Sequence, residues 1–184
     1  MVLAIIQARL GSTRLPGKVL MPFGSSHTVL SYMIERVKKA KLVDDVMVAT
    51  TNEDSDRGLV EYLKKLGVKY FTGSETDVLS RYYDAAKSQN LKDDDIVIRL
   101  TGDCPFSDPG IIDQVVKTYA SGNYDFVSNS LEPYSFPDGL DVEVFSFGNL
   151  ERAAREAKLP SHREHVTFYF WQNPQMFRIY YVQN

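Results

Sequence analysis

Arg9, Arg14 and Lys18 are crowded into "ARLGSTRLPGKVL", interleaved with Gly11, Pro16 and Gly17, directly after the apolar run that opens the chain. Cations this close repel one another and call for a compensating anion. Glycines let a backbone approach a ligand closely, and the exposed N–H groups of such a loop cradle oxyanions. Arginine forks match phosphate oxygens in pairs, and lysine adds a compact point charge. A polyphosphate is the natural counterion, with Gly11, Ser12 and Thr13 as the backbone around it. The stretch is not a P-loop: five residues separate Gly11 from Gly17, and Val19, not Ser or Thr, follows Lys18. The G-x-G-x-x-G dinucleotide fingerprint is absent too. The competing reading is a solvated loop whose arginines pair with nearby carboxylates.

A second stretch, "IVIRLTGDCPFSDP" from Ile96 to Pro109, ends a strand in a Gly-Asp turn. An aspartate at the carboxyl end of a strand can hold Mg²⁺, which takes its remaining ligands from phosphate and water. Asp103 is the candidate; the alternative is a turn aspartate bonded to its own backbone. Cys104 reads as a small apolar residue rather than a nucleophile.

In "PDGLDVEVF", Asp141 and Glu143 alternate, so on a strand they share a face and need a partner such as sugar hydroxyls or a metal. Asn52 lies at a strand end within reach of a base, and the acids that follow it suit a helix N-terminus. Asp77 and Arg81 stand four apart, as nucleotide contacts or as a simple intrahelical pair. Arg163 can meet a sugar carboxylate, or pair with Glu164 or solvent.

These residues need a scaffold. Val2–Gln7, Asp45–Thr51, Val68–Thr72 and Ile96–Leu100 read as buried strands, continuously apolar as parallel strands covered on both faces should be. Between them, Val29–Ala40, Asp56–Leu66, Thr76–Gln89 and Pro109–Ala120 show helical spacing, with Gly67 closing the second helix and Asp108 capping the fourth. Strands at Asp125–Asn129, Leu140–Phe147 and Phe177–Val182 and helices at Asn149–Ala157 and Ser161–Gln172 follow, the last with Ser161 and Glu164 as a capping box. Alternating strand and helix predicts an α/β fold with a mainly parallel sheet and right-handed crossovers. With no repeat or linker, residues 1–184 form one domain.

The 184 residues suffice for one core. A net charge of −3 argues against nucleic-acid binding by a basic surface, and no apolar run is long enough to span a bilayer. A single cysteine fits a reducing cytoplasm, and the opening apolar run reads as a strand, not a signal peptide.

Taken in order, "IIQARLGSTRLPGKVL", "ATTNEDSD", "RLTGDCPFSDP", "PDGLDVEVFS" and "REHVTFYFW" resemble the cytidylyltransferases typified by spore coat polysaccharide biosynthesis proteins, relatives of the CMP-Kdo and CMP-sialic acid synthetases. The resemblance implies the nucleotide-diphospho-sugar transferase fold, a Rossmann-like three-layer α/β/α sandwich. It implies transfer of CMP from CTP to an acidic sugar, with Mg²⁺ and release of pyrophosphate. Arg9, Arg14 and Lys18 would hold the triphosphate, with Arg14, Lys18 and Asp103 catalytic. Gln7 and Ala8 would sit against base and ribose, and Asp103 would ligate the metal. His165 and Tyr169, which share a face if the helix is continuous, would line the sugar pocket. The resemblance further implies a segment beyond Asn184 with a second metal aspartate, and a possible homodimer. Two other readings stay open: a glycosyltransferase of the same fold that consumes a nucleotide sugar, and a non-catalytic nucleotide- or sugar-binding module.

Overall fold

The strands form where apolar, β-branched residues run without interruption. In a computed structural model, which describes residues 1–12, 14–132 and 134–184, the strands are β1 (Val2–Gln7), β2 (Pro22–Phe23), β3 (His27–Thr28), β4 (Asp45–Thr51), β5 (Lys69–Gly73), β6 (Ile96–Thr101), β7 (Phe126–Ser128), β8 (Glu143–Ser146) and β9 (Ile179–Tyr181). β2 and β3 make a small antiparallel hairpin that the sequence reading did not anticipate. The rest form one sheet in the order β5-β4-β1-β6-β8-β7-β9. β5, β4, β1 and β6 are mutually parallel. β8 runs antiparallel to both β6 and β7, and β9 lies parallel to β7.

Alternation along the central strands feeds two cores. Ala4, Ile6, Val48, Ile98 and Leu100 face α1 (Val29–Val37), α2 (Arg57–Lys65) and α4 (Pro109–Ser121). Leu3, Ile5, Met47 and Val97 face α3 (Val78–Lys87), α5 (Phe147–Glu156) and the segment α6 (Pro160–His165) with α7 (Phe168–Trp171). The fold is thus a single-domain, three-layer α/β/α sandwich. Each fully buried Leu or Ile contributes roughly 1.5–3 kcal/mol relative to exposure. No described helix is long and apolar enough to cross a membrane.

Local chemistry sets the helix ends. Asp108 accepts from the Gly110 and Ile111 amides, and Pro109 occupies the first turn of α4. Gly67, at φ 63°, closes α2. The expected helix over Ser161–Gln172 is corrected: Leu159, not Ser161, is the N-cap residue, and the helix breaks into α6 and α7 at Val166 (φ 54°, ψ −67°). The strand expected over Leu140–Phe147 is confined to Glu143–Ser146. There, Asn129 takes up the Val142 amide and the Leu140 carbonyl through its side chain before the ladder begins.

Candidate active site

The carboxyl ends of β1 and β6 meet side by side, with Gln7 opposite Thr101. The Gly102 amide donates to the Gln7 carbonyl at 2.8 Å. A Cβ on Gly102 would fall 2.9 Å from both that oxygen and the Ala8 Cβ, so only glycine lets the two turns close on each other. This brings the cationic loop and the acidic turn into one open cleft of about 690 Å³. Gln7, Ala8, Arg9, Ser12, Arg14 and Lys18 line it from the β1 side, Arg99 and Asp103 from β6 and its turn, Arg81 from α3, and Glu164 and His165 from α6.

The cations divide between carboxylates and the cleft. Lys18 Nζ lies 2.5 Å from Asp103 Oδ2, and Arg9 Nη1 lies 2.7 Å from Glu75 Oε1. Arg14 has no ion-pair partner among the described residues. Burial pushes the Asp103 carboxyl up, but the Lys18 ammonium outweighs it and leaves the group below its ordinary value. Gly17, at φ 73°, sets up the short 3₁₀ turn Lys18–Leu20 that aims Lys18 inward. The loop is tethered by Asp56, which is 1% exposed. Its carboxylate accepts from the Leu10 amide at 2.6 Å and from the Thr51 hydroxyl. The acids of "TNEDSD" were expected to serve the helix dipole; Asp56 instead anchors the cationic loop, a long-range role that nothing local announces.

Arg81 is 3% exposed. Its Nη1 donates to the Ser74 carbonyl, its Nε is buried with no partner among the described residues, and burial lowers its pKa. A guanidinium in this state at a cleft wall suits an oxygen-bearing ligand. It does not pair with Asp77, so the expected intrahelical pair is corrected. Asp77 caps α3 through the Ser80 amide and grips the Arg163 fork, Nη2 at 2.5 Å and Nε at 3.0 Å. Arg163 also donates to the Ala154 carbonyl. It acts as a structural clamp here, outside the cleft lining.

Other expected site residues lie elsewhere. Tyr169 does not share a face with His165, because the break at Val166 turns it away. Its hydroxyl donates to Glu156, which that bond and the flanking Arg155 and Arg152 hold down at about 2. Glu143 is buried beneath the cleft, on Arg99 and Thr167, and is not available to substrate. Asp141 lines a separate cavity of about 430 Å³ with Asn129, Tyr134, Phe136 and Asp138. Burial, then the neighbouring Asp138 and Glu143, pushes its carboxyl up. Asn52 is exposed and donates its backbone N–H to the Gly73 carbonyl, outside the cleft lining. Gly11 sits beside Glu75, outside the lining. Thr13 lies outside the described residues.

Arg99 was missed, although a signal existed: an arginine interrupting an apolar strand needs a carboxylate beside it, and Glu143 is its cross-strand partner. No group of three or more His, Cys, Asp or Glu side chains is arranged to hold a metal among the described residues. Asp103, at the strand ends among phosphate-seeking cations, fits a divalent ion that arrives with a triphosphate and draws most ligands from it and from water.

An open sheet with a cationic loop at its first strand end, facing an aspartate turn on the next, is the architecture of a nucleotidyltransferase. Residues 3–184 match the family model described as cytidylyltransferase, and the chain belongs to that family of CTP-dependent enzymes. It is 33% identical over 189 residues to the spore coat polysaccharide biosynthesis protein SpsF of Bacillus subtilis, covering 99% of this chain and 75% of that protein. It is 38% identical over 120 residues to the 8-amino-3,8-dideoxy-manno-octulosonate cytidylyltransferase of Shewanella baltica, covering 64% of this chain and 47% of that one. A cytidylyltransferase structure from Leptospira borgpetersenii superposes with a TM-score of 0.90 at 42% identity, over 100% of this chain and 76% of that one.

Proposed function

We propose that the chain transfers CMP from CTP to a hydroxyl of an acidic sugar, releasing pyrophosphate, within cell-surface polysaccharide synthesis in the cytoplasm. The observation that carries this reading is the convergence of Arg9, Arg14 and Lys18 with Asp103 on one cleft. The names of the Bacillus and Shewanella relatives supply the polysaccharide context and the keto-acid sugar class.

In this reading the triphosphate replaces Glu75 and Asp103 as the counterion of Arg9 and Lys18, and Arg14 adds a third donor. Gln7 and Ala8 border the nucleoside, with the Arg81 guanidinium beside them in the cleft wall. His165 faces the sugar. In-line attack on the α-phosphorus needs positioning and charge neutralisation more than covalent help. Arg14 and Lys18 offset the charge that develops on the departing pyrophosphate. Asp103 would hold Mg²⁺, which would supply positive charge beside the phosphates.

The test is a pyrophosphate-release screen of four nucleoside triphosphates against keto-acid and amino sugars. The expected result is release with CTP and an acidic sugar. Release of nucleotide from a sugar nucleotide, or tight CTP binding without turnover across the screen, overturns the reading.

A further inference from the structure

The helix breaks at Val166 without a helix-breaking residue. No glycine or proline stands between Ser161 and Gln172, and the sequence pattern favours one continuous helix. Val166 nevertheless occupies φ 54°, ψ −67°, outside the regions a β-branched residue ordinarily adopts, and its side chain is fully buried. Such a conformation persists only where its surroundings over-determine it.

The surroundings form a buried polar chain. Arg99 borders the cleft and donates through Nη1 to Glu143 Oε2 on the adjacent strand. Its Nη2 reaches Gln7 Oε1 at 3.4 Å, also at the cleft. The other oxygen of Glu143, Oε1, accepts from the Thr167 hydroxyl at 2.8 Å. Thr167 directly follows the strained residue; its amide donates to the His165 carbonyl across the turn, and its hydroxyl, 3.3 Å from that same oxygen, is closer to Glu143. Glu164 and His165, just before the strained residue, line the cleft. An unbroken helix would stack His165 on the face of Tyr169, and Tyr169 is bonded to Glu156, outside the cleft lining. The break is therefore what separates the two side chains and leaves His165 facing the cleft.

We propose that Arg99, Glu143 and Thr167 are positioning residues: their buried hydrogen-bonded chain ties the α6–α7 turn to the cleft floor, holds Val166 in its strained conformation, and thereby sets His165 against the sugar. The last clause rests on the transfer reading above; the tether itself does not.

The test uses Thr167→Val, which removes the hydroxyl at nearly constant shape, and Thr167→Ser, which keeps it. With wild-type turnover established, Thr167→Val is expected to raise the sugar KM about tenfold, the size of coupling usual between contacting groups, with the CTP KM unchanged. Thr167→Ser restores the wild-type value. Combined with His165→Ala, Thr167→Val adds nothing further, because both act on one contact. An unchanged sugar KM in Thr167→Val where His165→Ala raises it, or multiplicative effects in the double variant, overturns the proposal. The histidine ring NMR signals of ligand-free protein give an independent reading. A displaced His165 signal in Thr167→Val but not in Thr167→Ser supports the tether, and identical spectra refute it. Should wild type release no pyrophosphate, the transfer reading fails, and the spectra still decide the tether.

Discussion

Lys18–Asp103 at the cleft mouth and Arg99–Glu143 at its floor are both cation–carboxylate pairs, yet burial gives them opposite jobs. The side chains of the first are 25% and 38% exposed; those of the second are 17% and 7%. An exposed pair is worth roughly 0–1 kcal/mol, so a ligand can displace it at little expense to the fold. Breaking a buried pair strands a charge in a poorly solvated site and costs about 3–5 kcal/mol. Arg99 shows the balance directly: burial lowers its pKa, but Glu143 outweighs that and leaves it raised. The mouth holds its charges in readiness for a ligand, and the floor holds its charges for good.

The largest effect falls on the floor. Glu143→Ala is expected to destabilise by about 3–5 kcal/mol, lowering Tm by roughly 6–20 °C. Replacing both partners with apolar residues of similar volume recovers most of the loss. Thermal melts of the single and double variants check this, and a double variant as unstable as the single would remove the distinction between floor and mouth.

Asp103→Asn at the mouth is expected to do the reverse. Turnover falls about 10²–10³-fold, as for removal of one preorganised electrostatic contact, while Tm moves by no more than about 3 °C. Pyrophosphate release and a melt on the same preparation separate the two effects. A large loss of stability with intact turnover would make Asp103 a floor-type residue.

Asp77→Ala removes both the cap of α3 and the Arg163 clamp, and is expected to cost about 1–3 kcal/mol by denaturant titration. A cost below about 0.5 kcal/mol would mean that α6 is held by its apolar contacts alone.

The smallest effect concerns pH. Asp141 has its carboxyl raised above the ordinary 3.8, so its ionised form is the disfavoured one in the folded chain. Native stability from this group therefore grows as pH falls through its folded pKa toward 3.8. Asp141→Asn is expected to raise Tm by about 1–3 °C at pH 7 and to lose that advantage below pH 3.8. Asp103 runs the other way: its carboxyl is lowered, so its contribution is present above 3.8 and disappears as pH falls through its folded pKa.

The same division explains what the sequence revealed. β1 and β4 were legible residue for residue, because a strand buried on both faces must be apolar throughout. The cationic loop was legible because its charges cluster within a few residues, and the fold brings it to Asp103 as expected of adjacent strand ends. The floor was not legible. Arg99 and Glu143 are far apart in the chain and meet only through the β6–β8 register. The break at Val166 is imposed by a hydrogen bond from Thr167 to that pair, against the local helical pattern. The anchoring role of Asp56 and the pairing of Asp77 with Arg163 are hidden for the same reason: each satisfies a distant backbone or side-chain group, and local spacing carries no trace of it. Short-range chemistry located the mouth of the site, and long-range chemistry built its support.

Calorimetric titration with CTP and with CMP in the presence of Mg²⁺ decides whether the cationic loop holds a nucleotide's polyphosphate beside Asp103. Wild type is expected to prefer CTP by at least about tenfold, as contacts to charged groups of roughly 1.5–3 kcal/mol require, and the double substitution Arg14→Ala with Lys18→Ala to abolish the preference while leaving CMP binding intact. Equal affinity for CTP and CMP in wild type, or an undiminished CTP preference in the double variant, would contradict it.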